Sequence, residues 1–277
     1  MNSGIVRAGA VDIHYQISGA GQHTVVLING IGDDLDGWAN QMDDFVRAGL
    51  RVVSFDNRGV GRSSQPPGPY TSSEMAADLK ALVAELGLPR FHLLGVSMGG
   101  AIAQEYAVAH PDDLASVILA NTYAAADPFT TAAFQTWATV ADAAGMAVMM
   151  EQQAPWIYSP AFYQQYPERV TELVAAAKQS TQPSAAFGAQ MAALLSHDCA
   201  DRIGSLRVPT LVLVARDDII IRPEESRRLF DALADGVGTW SVVPGGHAAF
   251  WENPGPWNQA VIDFVHAAAS ADRQKGH

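Results

Sequence analysis

A chain of 277 residues with 48% apolar and 17% charged side chains buries a full core, and its length suits one α/β domain with an insertion. Lysine and arginine number 17 against 29 aspartates and glutamates, a net charge of −12, which argues against a nucleic-acid-binding surface; the widest basic cluster is Arg227-Arg228. No apolar run reaches the length of a membrane span, and Met1 to Tyr15 lack the apolar stretch of a secretory signal. The one cysteine, Cys199, forms no internal disulfide and fits a reducing, cytoplasmic setting.

In chain order, Ile13 to Ile17 alternates in polarity and ends at Gly19 and Gly21, which predicts an antiparallel strand. Val25–Ile28 and Val52–Phe55 follow as nearly continuous apolar runs, the mark of strands covered on both faces. Met75, Leu79, Leu82, Val83 and Leu86 then repeat on one helix face. The next strands are Phe91–Leu94 and Val117–Ala120, with a helix over Ala101 to Ala109 between them. From Tyr123 onward no β run occurs until Leu211–Val214; only Ala-, Gln- and Met-rich helical sequence broken by prolines fills the gap. Trp240–Val243 is the last strand, and Trp257 to Ala268 carries a helical apolar face before a polar tail, Ser270 to His277, expected to fray. Strand–helix repeats require crossovers, hence a mostly parallel sheet flanked by helices. We expect a sheet core over residues 1–122 and 206–277, with a helical cap over 123–205 inserted between two sheet strands.

The chemistry begins at Gly95-Val96-Ser97-Met98-Gly99, a G-x-S-x-G run between a strand and a helix. So tight a turn leaves no room for a Cβ two positions either side of the serine. It lifts the hydroxyl clear of the sheet beside a helix N-terminus. No lysine follows the glycines, so a phosphate loop is excluded. A serine nucleophile needs a base. Of the eight histidines, His247 alone stands on a flexible turn, Pro244-Gly245-Gly246, after the last strand, at the same sheet edge as the elbow. The partner that holds its tautomer must be a carboxylate. The strand Leu211–Val214 ends in Arg216-Asp217-Asp218, and either aspartate suits by spacing.

These segments resemble the α/β-hydrolase superfamily, and within it the esterase, enol-lactonase and cofactor-free perhydrolase group, over Thr24 to Thr122 and Leu206 to His266. Asp56-Asn57-Arg58-Gly59-Val60-Gly61-Arg62-Ser63 is similar to the family's structural D-x-R-G-x-G-x-S turn. The resemblance assigns the acid to Asp218 rather than Asp217. The oxyanion hole then falls to the backbone N–H groups of Met98 and of Ile31, the latter in Asn29-Gly30-Ile31-Gly32, where the family often carries His-Gly.

The sequence therefore predicts a serine hydrolase that cleaves a carboxylic ester or lactone of a small, mainly apolar molecule through an acyl-serine. No metal or cofactor is implied, since no HExxH run, spaced Cys/His cluster or dinucleotide loop is present. Trp137, Met150, Trp156 and Phe187 of the insertion and Phe250 beside His247 are expected to wall the substrate. Carbon–carbon bond hydrolysis, perhydrolysis and a small-molecule receptor that retains the triad are the alternatives.

Overall fold

The structure is a computed structural model that describes residues 2–275. The strands are β1 (Asn2–Ala8), β2 (Val11–Ser18), β3 (His23–Ile28), β4 (Leu50–Phe55), β5 (Phe91–Val96), β6 (Leu114–Ala120), β7 (Thr210–Ala215) and β8 (Gly238–Val243). The helices are α1 (Ala39–Arg47), α2 (Ser72–Glu85), α3 (Met98–Ala109), α4 (Pro128–Ala144), α5 (Met146–Ile157), α6 (Pro160–Gln165), α7 (Pro167–Ala177), α8 (Ser184–Ser196), α9 (Pro223–Asp231), α10 (Ala249–Glu252) and α11 (Pro254–Lys275). The sheet order is β1-β2-β4-β3-β5-β6-β7-β8; β1 and β2 run antiparallel, and β3 to β8 are mutually parallel.

The two-residue side-chain period of the strands splits the core into two layers. Val26 and Ile28 of β3 lie with Leu93 and Val212 under α2, α3 and α9, represented there by Leu79, Ile102 and Leu229. Val25 and Leu27 lie with Leu94 and Leu213 against Phe45 of α1 and Val261 of α11. Both faces are thus apolar, which is why the strands read as continuous apolar runs. Helix α2 starts on a capping box, Thr71 with Glu74, worth about 1 kcal/mol.

Two elements depart from the sequence reading. Strand β1 carries few apolar residues: Val6 and Ala8 turn inward while Ile5 faces solvent. It forms through pairing along β2, from Asn2 opposite Ile17 to Ala8 opposite Val11, so its stability comes from its neighbour rather than from its own pattern. At the other end α11 continues to Lys275, past the expected fraying point at Ser270; Gly276 and His277 lie outside the described residues.

Helices α4 to α8 leave the sheet after β6 and return before β7. Their two ends are joined by a bridge between Ala125 and Asp198 and by the Cys199 N–H donating to the Ala124 carbonyl at 2.8 Å. Cys199 is buried there, and burial pushes its thiol up to about 11. Among the described residues no helix is long and apolar enough to cross a membrane.

Candidate active site

Ser97 stands between β5 and α3 with φ 54° and ψ −116°, a backbone conformation costly for a residue with a side chain. The surroundings enforce it. A Cβ on Gly95 would come within 2.1 Å of the Gly99 carbonyl oxygen, and one on Gly99 within 2.2 Å of that of Ile28. The Ser97 N–H donates to the Ala120 carbonyl, and the Thr122 hydroxyl donates to the Ser97 carbonyl, each at 3.0 Å. The serine side chain is therefore presented at the C-terminal edge of the sheet by backbone geometry alone.

The loop after β8 brings His247 to the same edge. Its Nδ1 lies 2.7 Å from Asp218 Oδ2, while Oδ1 of that carboxylate accepts the N–H groups of Ile220 and Ile221 at 2.9 Å each. The Asp218 side chain is 0% exposed. Asp217 behaves differently: its carboxylate is 41% exposed and faces Arg216 at 3.7 Å. Three charge-assisted contacts on a buried carboxylate leave one rotamer, so the imidazole is held in one orientation. Ser97 and His247 line one cavity of about 70 Å³. No hydrogen bond joins the serine hydroxyl to the ring in this structure; such contacts tighten around a bound substrate.

Two residues that sequence reasoning missed hold the histidine loop. Asn121, itself at φ 47°, donates from Nδ2 to the His247 carbonyl at 2.7 Å and accepts the Ala215 N–H at 3.0 Å. Glu252, buried, accepts Ser159 N–H and Oγ–H at 2.7 Å each and the Gly246 N–H at 3.2 Å. The Asn121 bonds and the Ser159–Glu252 bonds join segments about ninety or more residues apart, so neither residue has a local sequence signal.

The N–H groups of Ile31 and Met98 donate to no acceptor among the described residues, and Ile31 lines the cavity beside Ser97. The Met98 N–H opens α3, where the helix dipole favours negative charge. Asn29, where the family often has histidine, donates from its side chain to the Asp34 carbonyl and so closes its own loop. Asp56 steadies the next residues by accepting the Leu35 and Arg62 N–H groups at 2.8 Å each. From the insertion, Gln190 of α8 accepts the Gly32 N–H at 3.1 Å and donates to the Arg58 carbonyl at 2.8 Å.

Of the expected wall residues, Trp137, Met150 and Phe250 line the cavity. Trp156 and Phe187 do not. On α5 the inward face is Met150, Gln153, Ala154 and Ile157, a helical period that turns Trp156 outward, where its ring meets that of Phe129 at 6.3 Å. Phe187 is fully buried in packing behind Gly32 and Met150. Tyr158 of the insertion, one of its large side chains, also lines the cavity, as do Phe134, Trp251 and Asp33. Asp33 sits one residue beyond the Asn29–Gly32 stretch that the sequence singled out. Phe250 packs at 5.5 Å from Trp38 and 5.8 Å from Trp257, so this wall is anchored in the core layer that holds α1 and α11.

Among the described residues no group of three His, Cys, Asp or Glu side chains is placed to hold a metal ion. An eight-stranded, mostly parallel sheet with a serine elbow after β5 and an Asp–His pair after β7 and β8 invites comparison with known families. The family described as the alpha/beta hydrolase fold matches residues 23–254. This chain belongs to that family. It is 30% identical over 255 residues to the "Putative carbamate hydrolase RutD" of Variovorax paradoxus, covering 91% of this chain and 96% of the relative. A thermophilic esterase from Thermogutta terrifontis, solved with malate bound, shares 27% identity at a TM-score of 0.86, over 97% of this chain and 99% of that one. The enol-lactonase from Burkholderia xenovorans LB400, at 24% identity and a TM-score of 0.87 over 95% and 100% of the two chains, shows the shared fold.

Proposed function

We propose that this α/β hydrolase cleaves a carboxylic ester or lactone of a small, mainly apolar substrate through an acyl-serine. The observation that carries the reading is a strained serine that lines one cavity with a histidine whose Nδ1 is tied to a buried carboxylate. In this reading His247 Nε2 takes the Ser97 proton as Oγ attacks the carbonyl carbon, and Asp218 stabilises the imidazolium that forms. The developing oxyanion accepts from the Ile31 and Met98 N–H groups. The imidazolium then protonates the departing oxygen, the acyl–Ser97 bond remains, and water deprotonated by His247 breaks it to release the acid. Asp33 aside, the cavity wall is largely aromatic and aliphatic, which suits an apolar acyl group.

Curated relatives named for carbamates favour a second substrate class for the same machinery. A carbamoyl carbon is attacked in the same way, with nitrogen in place of the first acyl carbon.

The test is intact-mass analysis after mixing with p-nitrophenyl esters, alongside steady-state rates for Ser97→Ala. We expect a transient mass increase equal to the acyl group and a loss of about a million-fold in turnover in the variant, which should fold normally because only one oxygen is removed. Turnover retained in folded Ser97→Ala protein would remove the acyl-serine.

A further inference from the structure

The loop after β3 carries a carboxyl for which the hydrolytic steps have no task. Asp33 is partly buried and lines both the Ser97 cavity and a larger adjoining one of about 470 Å³; Met150, Tyr158, Ala177 and Trp251 are likewise shared. Its Oδ2 lies 3.6 Å from the point that a Cβ on Gly30 would occupy, and Ser97 Cβ lies at the same distance from that point. A small group placed over Gly30 would touch both. Among the described residues nothing donates a hydrogen bond to this carboxyl. The neighbouring donors serve elsewhere: Asn29 on the Asp34 carbonyl, the Leu35 N–H on Asp56, and the Asp36 N–H on the Asp34 carboxylate. The other amide on this wall, Gln153, spends an N–H on the Met150 sulfur. A partly buried carboxyl that opens on both cavities is placed to take a donor from a bound molecule.

We propose that Asp33 selects the acyl partner: it pairs with an N–H or O–H group carried within two bonds of the scissile carbonyl, as in a hydroxyacyl ester or a carbamoyl group, and turns away acyl groups that end in a carboxylate. This rests on the acyl-serine reading above.

The physics of the carboxyl agrees with that role. Burial raises its pKa to about 7, the nearby Asp34 charge adds to the rise, and His247 opposes it. In its neutral form the carboxyl donates and accepts, matching a hydroxyl or amide; ionised, it only accepts, which still suits an N–H or O–H but repels a carboxylate. The other charged or titratable side chains lining the two cavities are Asp34 and Asp36 on the same loop, Tyr158 after α5, and Arg169 of α7, which pairs with Glu172 at 3.1 Å. Among the described residues that line the two cavities, Arg169 is the one arginine or lysine.

The experiment compares kcat/KM for p-nitrophenyl propionate, p-nitrophenyl lactate and p-nitrophenyl hemisuccinate in the native protein, Asp33→Ala and Asp33→Asn, at pH about 6 and about 8. Intrinsic ester reactivity cancels when ratios are compared between proteins. The lactate-to-propionate ratio should fall about tenfold in Asp33→Ala, the size of one lost hydrogen bond. The hemisuccinate-to-propionate ratio should rise about tenfold in Asp33→Asn at the higher pH and change little at the lower one, where the native carboxyl is already neutral. Unchanged ratios in folded variants would overturn the assignment while Ser97-dependent turnover left the hydrolytic reading standing. A binding measurement covers the case without turnover. In Ser97→Ala protein, lactamide should bind about tenfold more tightly than propionamide, and adding Asp33→Ala should erase the difference; equal affinities before that change would equally overturn it.

Discussion

Replacing Asp218 by asparagine changes one atom, and the surrounding donors determine what that atom does. In the native protein Oδ1 accepts two backbone N–H groups, from Ile220 and Ile221, at 2.9 Å, and Oδ2 faces His247 Nδ1 at 2.7 Å. An asparagine must keep its oxygen on the two N–H groups, since the reverse flip would set an NH2 against both and leave buried donors unpaired at about 1–3 kcal/mol each. Its NH2 then points at His247 Nδ1, which can only answer as an acceptor. The ring proton moves to Nε2, the nitrogen that has to receive the proton of Ser97. A comparable substitution in another serine triad costs about ten-thousand-fold in turnover, or about 5 kcal/mol of transition-state stabilisation. The assay is kcat/KM on p-nitrophenyl butyrate, with melting temperature as the fold control. The neighbouring Asp217→Asn should stay within about threefold, because that carboxylate is 41% exposed and, among the described residues, meets Arg216 and the Gly245 N–H rather than His247. Activity of Asp218→Asn above about a tenth of native, or equal losses at both positions, would refute the tautomer argument.

Acyl-chain length should matter over a short range: each methylene buried is worth about 0.8 kcal/mol, or about fourfold in kcat/KM, until the cavity of about 70 Å³ is full, and a rise continuing to decanoyl esters would show that chains pass Met150 and Tyr158 into the adjoining space. Folding stability should depend on Asp33. A carboxyl whose pKa is higher folded than unfolded binds its proton more tightly in the native state, so its contribution falls as pH rises from the ordinary carboxylate range to about 7 and stays lost above it. Asp33→Asn should therefore raise the melting temperature more at pH about 8 than at about 5, and equal shifts at both would contradict the raised pKa. Gly99→Ala should fail to accumulate as folded protein, since its Cβ would meet the Ile28 carbonyl oxygen at 2.2 Å; a folded variant with native Ser97 geometry would show that β3 can give way.

Local rules made much of this protein legible from its residues alone. Continuous apolar runs marked the central strands because both sheet faces are covered, and the elbow was legible because glycine at 95 and 99 is a steric demand of a few neighbouring atoms. Spacing left Asp217 and Asp218 equal and the family resemblance pointed to Asp218; the fold supplies the physical reason, one carboxylate buried on His247 and the other 41% exposed. Strand β1 was missed since its order comes from pairing along β2. The wall of the cavity was half legible. Composition marked the insertion as aromatic and Met-rich, but the rotation of α5 about its axis, which turns Met150 inward and Trp156 outward, is set by packing against distant helices. Asp33 is the sharpest case. An aspartate in a loop reads as an ordinary solvated turn residue, and what makes it otherwise is desolvation by Tyr158, Trp251 and Met150, brought to it from the insertion and from α10. Chemistry carried by a short stretch of backbone can be read in sequence; an environment assembled from remote segments exists only once the chain has folded, because burial and electrostatic field are properties of what surrounds a residue rather than of the residue itself.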